Sequence, residues 1–126
     1  MPSSFDYAVI RVVPRVERQE FINAGVVVFC LEKKFLAARI HLDEARLKAL
    51  WPGTDVELVR EHLEAISRIC AGDESAGPIA KLSQRERFHW LISPRSTIIQ
   101  PSPVHTGLCE NTDDLPERLA KQLLDI

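Results

Sequence analysis

The sequence predicts an α+β domain: an antiparallel sheet of about four strands with three to four helices packed mainly on one face. Two observations predict it. Phe21–Leu42 holds two apolar runs of strand length, Ala24–Leu31 and Phe35–Leu42, divided by the charged break Glu32-Lys33-Lys34, which reads as a β-hairpin. Residues 55–71 carry Val56, Val59, Leu63, Ile66 and Cys70 at 3–4 spacing, the stripe of an amphipathic helix. Taken in order the elements are β-β-β-α-α-α-β-α. Such segregation of strands from helices suits a layered α+β fold.

The first strand is Phe5–Val13, rich in β-branched residues. Alternation puts Ala8, Ile10 and Val12 on one face and Tyr7, Val9, Arg11 and Val13 on the other. Pro14 ends it. Arg15–Glu20 is a charged connection of about one helical turn. In the hairpin, Ala24–Leu31 has no polar member, so both its faces are expected to be covered. In Phe35–Leu42, Leu36, Ala38 and Ile40 share a face, opposite Phe35, Ala37, Arg39 and His41. Arg11 and Arg39 are thus expected on one face.

Asp43 caps a short helix over residues 44–51, and Trp51-Pro52-Gly53 stops it. Thr54-x-x-Glu57 and Ser83-x-x-Glu86 have the form of capping boxes. The first opens the helix over 55–71, which Gly72 terminates. The second opens a short helix through Leu91 that Ser93-Pro94 ends. Gly72–Ala80 reads as a loop. Thr97–Gln100 reads as a short strand held to an edge by Pro101 and Pro103, and residues 102–111 as loop. Asp114-Leu115-Pro116 starts a last helix on which Leu115, Leu119 and Leu123 stack.

With 126 residues, the chain forms one domain, 1–126, large enough for one hydrophobic core. No apolar run reaches the roughly 18–20 residues of a membrane span. The first residues lack a basic start before their apolar stretch, so no secretory signal is expected and the cytoplasm is the expected location. Cys30, Cys70 and Cys109 are odd in number and far apart, which argues against a disulfide framework and fits a reducing compartment. Cys109, in a polar stretch, is the one candidate reactive thiol.

The net charge of −2 does not suit a polyanion binder as a whole. Arginines outnumber lysines eleven to five, and arginine is the residue for bidentate contact with carboxylate or phosphate. The four histidines have no metal-ligand spacing, and no cofactor or metal is expected. There is no G-x-S-x-G elbow, no phosphate-binding glycine loop and no dinucleotide fingerprint. Arg85, Arg87, Phe88 and Trp90 combine cations with aromatics as single-strand binders do. The competing reading puts the aromatics in the core and the arginines in solvent.

Ser93–Gly107 is the most unusual stretch, with hydroxyls and prolines around a short strand. A proline-stiffened loop presents Arg95, Ser96, Thr97, Ser102, His105 and Thr106 at low ordering cost. The alternative is that these residues only make turns. Arg15 and Arg18 either join Arg95 in an anion site or pair with Glu17 and Glu20 in solvent, the favoured reading.

FDYAVIRVVPRVERQEFINAGVVVFC and RFHWLISPRSTIIQPSPVHTG resemble the bacterial family called domain of unknown function 3037. The resemblance spans nearly the whole chain. It implies a small protein without established activity, some of whose relatives are encoded beside HipA-like kinases, and so an accessory role with a protein partner. Its characteristic blocks cover Arg11, Pro14, Arg15, Glu20, Asn23 and Gly25 in the first half and Arg87, Trp90, Pro94, Arg95, Ser96, Thr97, Ser102, Pro103, His105 and Gly107 in the second.

Three functions stay open. The preferred one is a non-catalytic interaction module, partnered with a HipA-like kinase and binding through Arg11, Arg15, Glu20, Asn23, Arg95, Ser96, Thr97, Ser102, His105 and Thr106. The second is an enzyme on a phosphorylated or nucleotide substrate, with His105 as acid/base and Arg15 and Arg95 holding the anion. The third is nucleic-acid binding through Arg85, Arg87, Phe88 and Trp90. An anionic ligand and a homo-oligomer fit the preferred reading. A membrane does not.

Overall fold

A computed structural model describes residues 1–95, 97–124 and 126. Among the described residues, five strands and four α-helices run β1 (Ser3–Val12), β2 (Ile22–Cys30), β3 (Phe35–Ile40), α1 (Glu44–Leu50), α2 (Val56–Ala71), α3 (Gln84–Leu91), β4 (Ile99–Pro101), β5 (His105–Cys109) and α4 (Leu115–Leu123). Single 3-10 turns lie at Val16–Arg18, Glu74–Ala76 and Pro78–Lys81. The α+β class holds, and so does the expected helical turn after Pro14.

All strand pairings are antiparallel, in the order β3-β2-β1-β4, with β5 also on β1. The late edge therefore comes in two pieces. β4 pairs with Ile10–Val12 and β5 with Ser3–Tyr7. Between them the outer chain uses three residues, Ser102, Pro103 and Val104, where β1 uses two, Ala8 and Val9. The stretch expected as loop over 102–111 thus contains a strand. Its Gly107 and exposed Leu108 carry no alternation a sequence reading can detect.

The β1 alternation is as expected. Ala8, Ile10 and Val12 enter the larger core with Val27, Phe29 and Leu36, covered by α1, α2 and α3 through Leu47, Val59, Leu63, Ile66, Phe88 and Leu91. The Phe88 ring stacks on Phe29 at 5.2 Å. Each such fully buried side chain contributes about 1.5–3 kcal/mol relative to exposure. The fourth helix sits on the other face. There α4 lays Leu115, Leu119 and Ala120 on Phe5, Val26, Val28, Cys30 and Cys109. Three helices on one face and one on the other explain why Ala24–Leu31 is apolar throughout.

The register between β1 and β2 shifts at Ile10/Arg11, where Ile10 opposes Gly25 and Arg11 opposes Asn23. Ala24 is the extra residue. The bulge puts Ala24 in the larger core although it neighbours Gly25, and leaves Asn23 on the α4 face beside Arg11.

Helix ends follow local chemistry. Asp43 accepts from the Arg46 amide. Asp55, one residue later than the Thr54 box suggests, accepts from the Leu58 amide, while the Thr54 hydroxyl donates to the Trp51 carbonyl. Ser83 caps α3 by accepting from the Glu86 amide. Gly72 ends α2 in the left-handed region at φ 73°.

Candidate functional site

α4 covers only one end of its sheet face. Its last turn is held by Asn23, whose Nδ2 donates to the Leu123 carbonyl at 3.2 Å. Past that point β1 continues to Arg11 and Val13, and β4 places Gln100 opposite Arg11. The 3-10 turn after Pro14 then swings the chain back, with Gln19 in the left-handed region at φ 58°, and delivers Phe21 beneath Arg11. The Arg11 guanidinium lies 4.3 Å from the Phe21 ring centroid. The other wall is Arg95. The result is a polar cleft of about 270 Å³ with Arg11, Arg95, Gln19, Gln100 and Phe21 in its lining, and no carboxylate among its described lining residues.

Two features mark this cleft electrostatically. The Arg11 Nε is buried and has no hydrogen-bond partner among the described residues. A buried unmet N–H costs about 1–3 kcal/mol. Arg95 stacks its guanidinium 4.2 Å from the Trp90 ring and donates to the Trp90 carbonyl. Burial pushes its pKa down from the ordinary arginine value.

Arg95 also borders a second cleft of about 270 Å³, on the opposite sheet face. That one is mainly apolar, with Ala65, Ile66, Trp90, Ile98 and Ile99 in its wall. Ile99 belongs to the larger core and Gln100 to the polar cleft, as adjacent strand residues on opposite faces must.

The two segments singled out in sequence, 15–23 and 93–107, therefore meet. Gln19 and Phe21 of the first line the polar cleft with Arg95 and Gln100 of the second, and just ahead of the first segment the Val13 amide donates to the Ile98 carbonyl at 2.7 Å. Their predicted residues divide among separate places. Arg11 and Arg95 share the polar cleft. Arg15 donates to Glu17 at 2.9 Å and lies 5.9 Å from the Trp51 ring, in a separate crevice with Glu20. Glu20 accepts from Arg18 at 2.6 Å. The favoured solvated pairing of these charges is what the structure shows. Asn23 anchors α4. Thr97 lines the apolar cleft and donates its hydroxyl to the Ile99 carbonyl. Ser96 lies outside the described residues. Ser102 is buried and bonds Val9.

His105 and Thr106 are elsewhere. His105 pairs with Tyr7, its ring 5.4 Å from the tyrosine ring, and Thr106 donates to Asp6. Tyr7 and Arg11 are four residues apart on one strand, a rise of about 13 Å. His105, Arg15 and Arg95 do not converge, so the enzyme arrangement built on them is not assembled. The nucleic-acid platform is not assembled as a whole, and the competing core reading holds for Phe88 but not for Trp90, which is exposed. Phe88 is core, and Arg87 turns inward, its Nη1 donating to the Ile69 and Cys70 carbonyls at 2.8 and 2.9 Å. Arg85 lines a different cleft with Asp6 and Glu32. Cys109 is buried, and burial with the neighbouring Cys30 raises its pKa, which argues against a reactive thiol.

The family model described as Protein of unknown function (DUF3037) matches residues 7–124. The chain belongs to this family. Neither a curated protein nor a solved structure matches it. In this DUF3037 chain no group of three or more His, Cys, Asp or Glu among the described residues has metal-binding geometry. No helix among them is long and apolar enough to cross a membrane.

Sequence reasoning about this DUF3037 domain missed Gln19, Phe21 and Gln100. Gln100 had a usable signal, since it follows buried Ile99 on an edge strand and must face the other way. Gln19 and Phe21 had none, because a 3-10 turn and a left-handed residue set their direction.

Proposed function

We propose that this DUF3037 protein is a non-catalytic interaction module that holds an anionic group of a partner in the cleft between Arg11 and Arg95. The observation that carries this reading is the pairing of two arginines in one cleft with no carboxylate among its described lining residues, one of them with a buried N–H that has no acceptor among the described residues. Arginine forks match a carboxylate or phosphate, and two of them fix its orientation. Gln19 and Gln100 add neutral donors around the same space.

The HipA-like kinase to which the family resemblance points is the first partner to test. Calorimetric titration of the purified kinase into the chain is expected to give a complex of micromolar affinity or tighter. Arg95→Gln and Arg11→Gln should each weaken it at least ten-fold. A complex insensitive to both substitutions would remove the cleft from the reading. Absence of any complex would remove the kinase.

A further inference from the structure

We infer that the partner presents an extended segment in which an acidic side chain sits directly beside an apolar one, the acid entering the Arg11–Arg95 cleft and the apolar neighbour entering the cleft lined by Ala65, Trp90 and Ile98. This inference rests on the anion-binding reading above and adds the ligand's second element. The two clefts open on opposite faces of the same edge strand, β4, and Arg95 lines both. Successive side chains of an extended chain point to opposite faces about 3.3 Å apart along it. A segment laid against β4 therefore offers one residue to each cleft.

The outer side of β4 offers such a segment few main-chain partners. The Ile98 carbonyl and the Ser102 amide bond β1, so Ile99 turns its backbone groups outward. The Thr97 hydroxyl already occupies the Ile99 carbonyl, and Pro101 has no N–H. Main-chain pairing is therefore limited, and side-chain chemistry must select the ligand. That chemistry is explicit: one cleft holds two cations with no carboxylate among its described lining residues, and the other is walled mainly by alkyl and indole surface, with His62, Thr97 and Arg95 as its polar members. An acid alone would leave the apolar cleft wet, and an apolar residue alone would leave the two guanidinium groups without a counter-charge.

The test is selection of random octapeptides on the immobilised full chain, followed by fluorescence polarisation with a selected peptide. The expected consensus is Asp or Glu adjacent to Leu, Ile, Val, Met or Phe. Changing the acid to its amide, or the apolar residue to Ser, should each weaken binding at least ten-fold. Ala65→Leu, which fills the apolar cleft from a half-buried position on α2, should abolish the apolar preference and keep the acidic one. Arg11→Gln should do the reverse, with unchanged circular dichroism for both variants. Enrichment of acids with no apolar neighbour overturns this inference and leaves the anion-binding reading standing. No enrichment of acids overturns both. Octanoate binding without any selected peptide makes the occupant a free amphiphilic acid and overturns the inference as well.

Discussion

The Ser102 hydroxyl accepts the Val9 amide hydrogen at 2.8 Å, and the Ser102 amide donates to the Val9 carbonyl at 2.8 Å. The hydroxyl also donates to the Pro103 carbonyl at 2.9 Å. A side-chain oxygen thus takes the ladder position that the Pro101–Val104 break would leave empty. Ser102→Ala strands the Val9 amide in a buried setting, so a loss of about 1–3 kcal/mol is expected from urea unfolding, with Ser102→Thr recovering most of it. A change within about 0.5 kcal/mol, the level of an ordinary surface substitution, would mean that the bond carries no stability.

Arg87 holds α3 against the end of α2. It donates to the Ile69 and Cys70 carbonyls and, through Nε, to the Leu82 carbonyl at 3.0 Å. A cation there also complements the helix C-terminal dipole. Arg87→Met should cost about 2 kcal/mol, and Arg87→Lys should not restore it, because a point charge cannot reach three carbonyls set by a fork. Thermal melts of the two variants check this. Equal melting temperatures for Lys and Arg would defeat the geometric argument.

Arg11 is expected to behave in the opposite way. Arg11→Met keeps an unbranched stem over Phe21 and removes a buried donor without a partner among the described residues. The lost cation–π contact is worth about 0.5–1 kcal/mol, against about 1–3 kcal/mol for the unmet donor. Stability should hold or rise by about 1 kcal/mol while binding of the selected peptide falls at least ten-fold. A clear loss of stability would make Arg11 a structural residue.

Burial pushes the Cys70 thiol up to about 12, with the nearby Arg87 opposing the rise. The folded state therefore holds this proton more tightly than the unfolded chain, whose value is 9.0. The associated stability is fully present below pH 9.0 and declines as pH rises toward 12. Iodoacetamide at pH 8.5 should leave Cys70 unmodified in the native protein and alkylate it in urea. Prompt native labelling, read by mass spectrometry, would contradict the burial.

How much was legible in the sequence depended on range. The face assignments of β1, the hairpin, the caps at Asp43 and Ser83 and the end of α2 at Gly72 rest on neighbours within a few residues, where propensity and periodicity act. The opposite placement of α4 rests on contacts such as Asn23 with Leu123, a hundred positions apart, and no local pattern encodes them. The same holds for β5, which is a strand because Ser3–Tyr7 offers an unpaired edge. At the site, Arg11 was visible as a charge within the first strand and Arg95 as an arginine ahead of the late one. His105 was not separable from them, because only the two-piece edge puts it about 13 Å down the strand.

That divided edge gives one long strand two independent attachments. The end of β1 zipped to β5 can keep its amide protons while the end zipped to β4 exchanges them. Hydrogen exchange with and without a selected peptide would then slow Arg11 and Val13 and leave Phe5 and Tyr7 as they were, so that a single strand reports occupancy at one end and carries its own reference at the other.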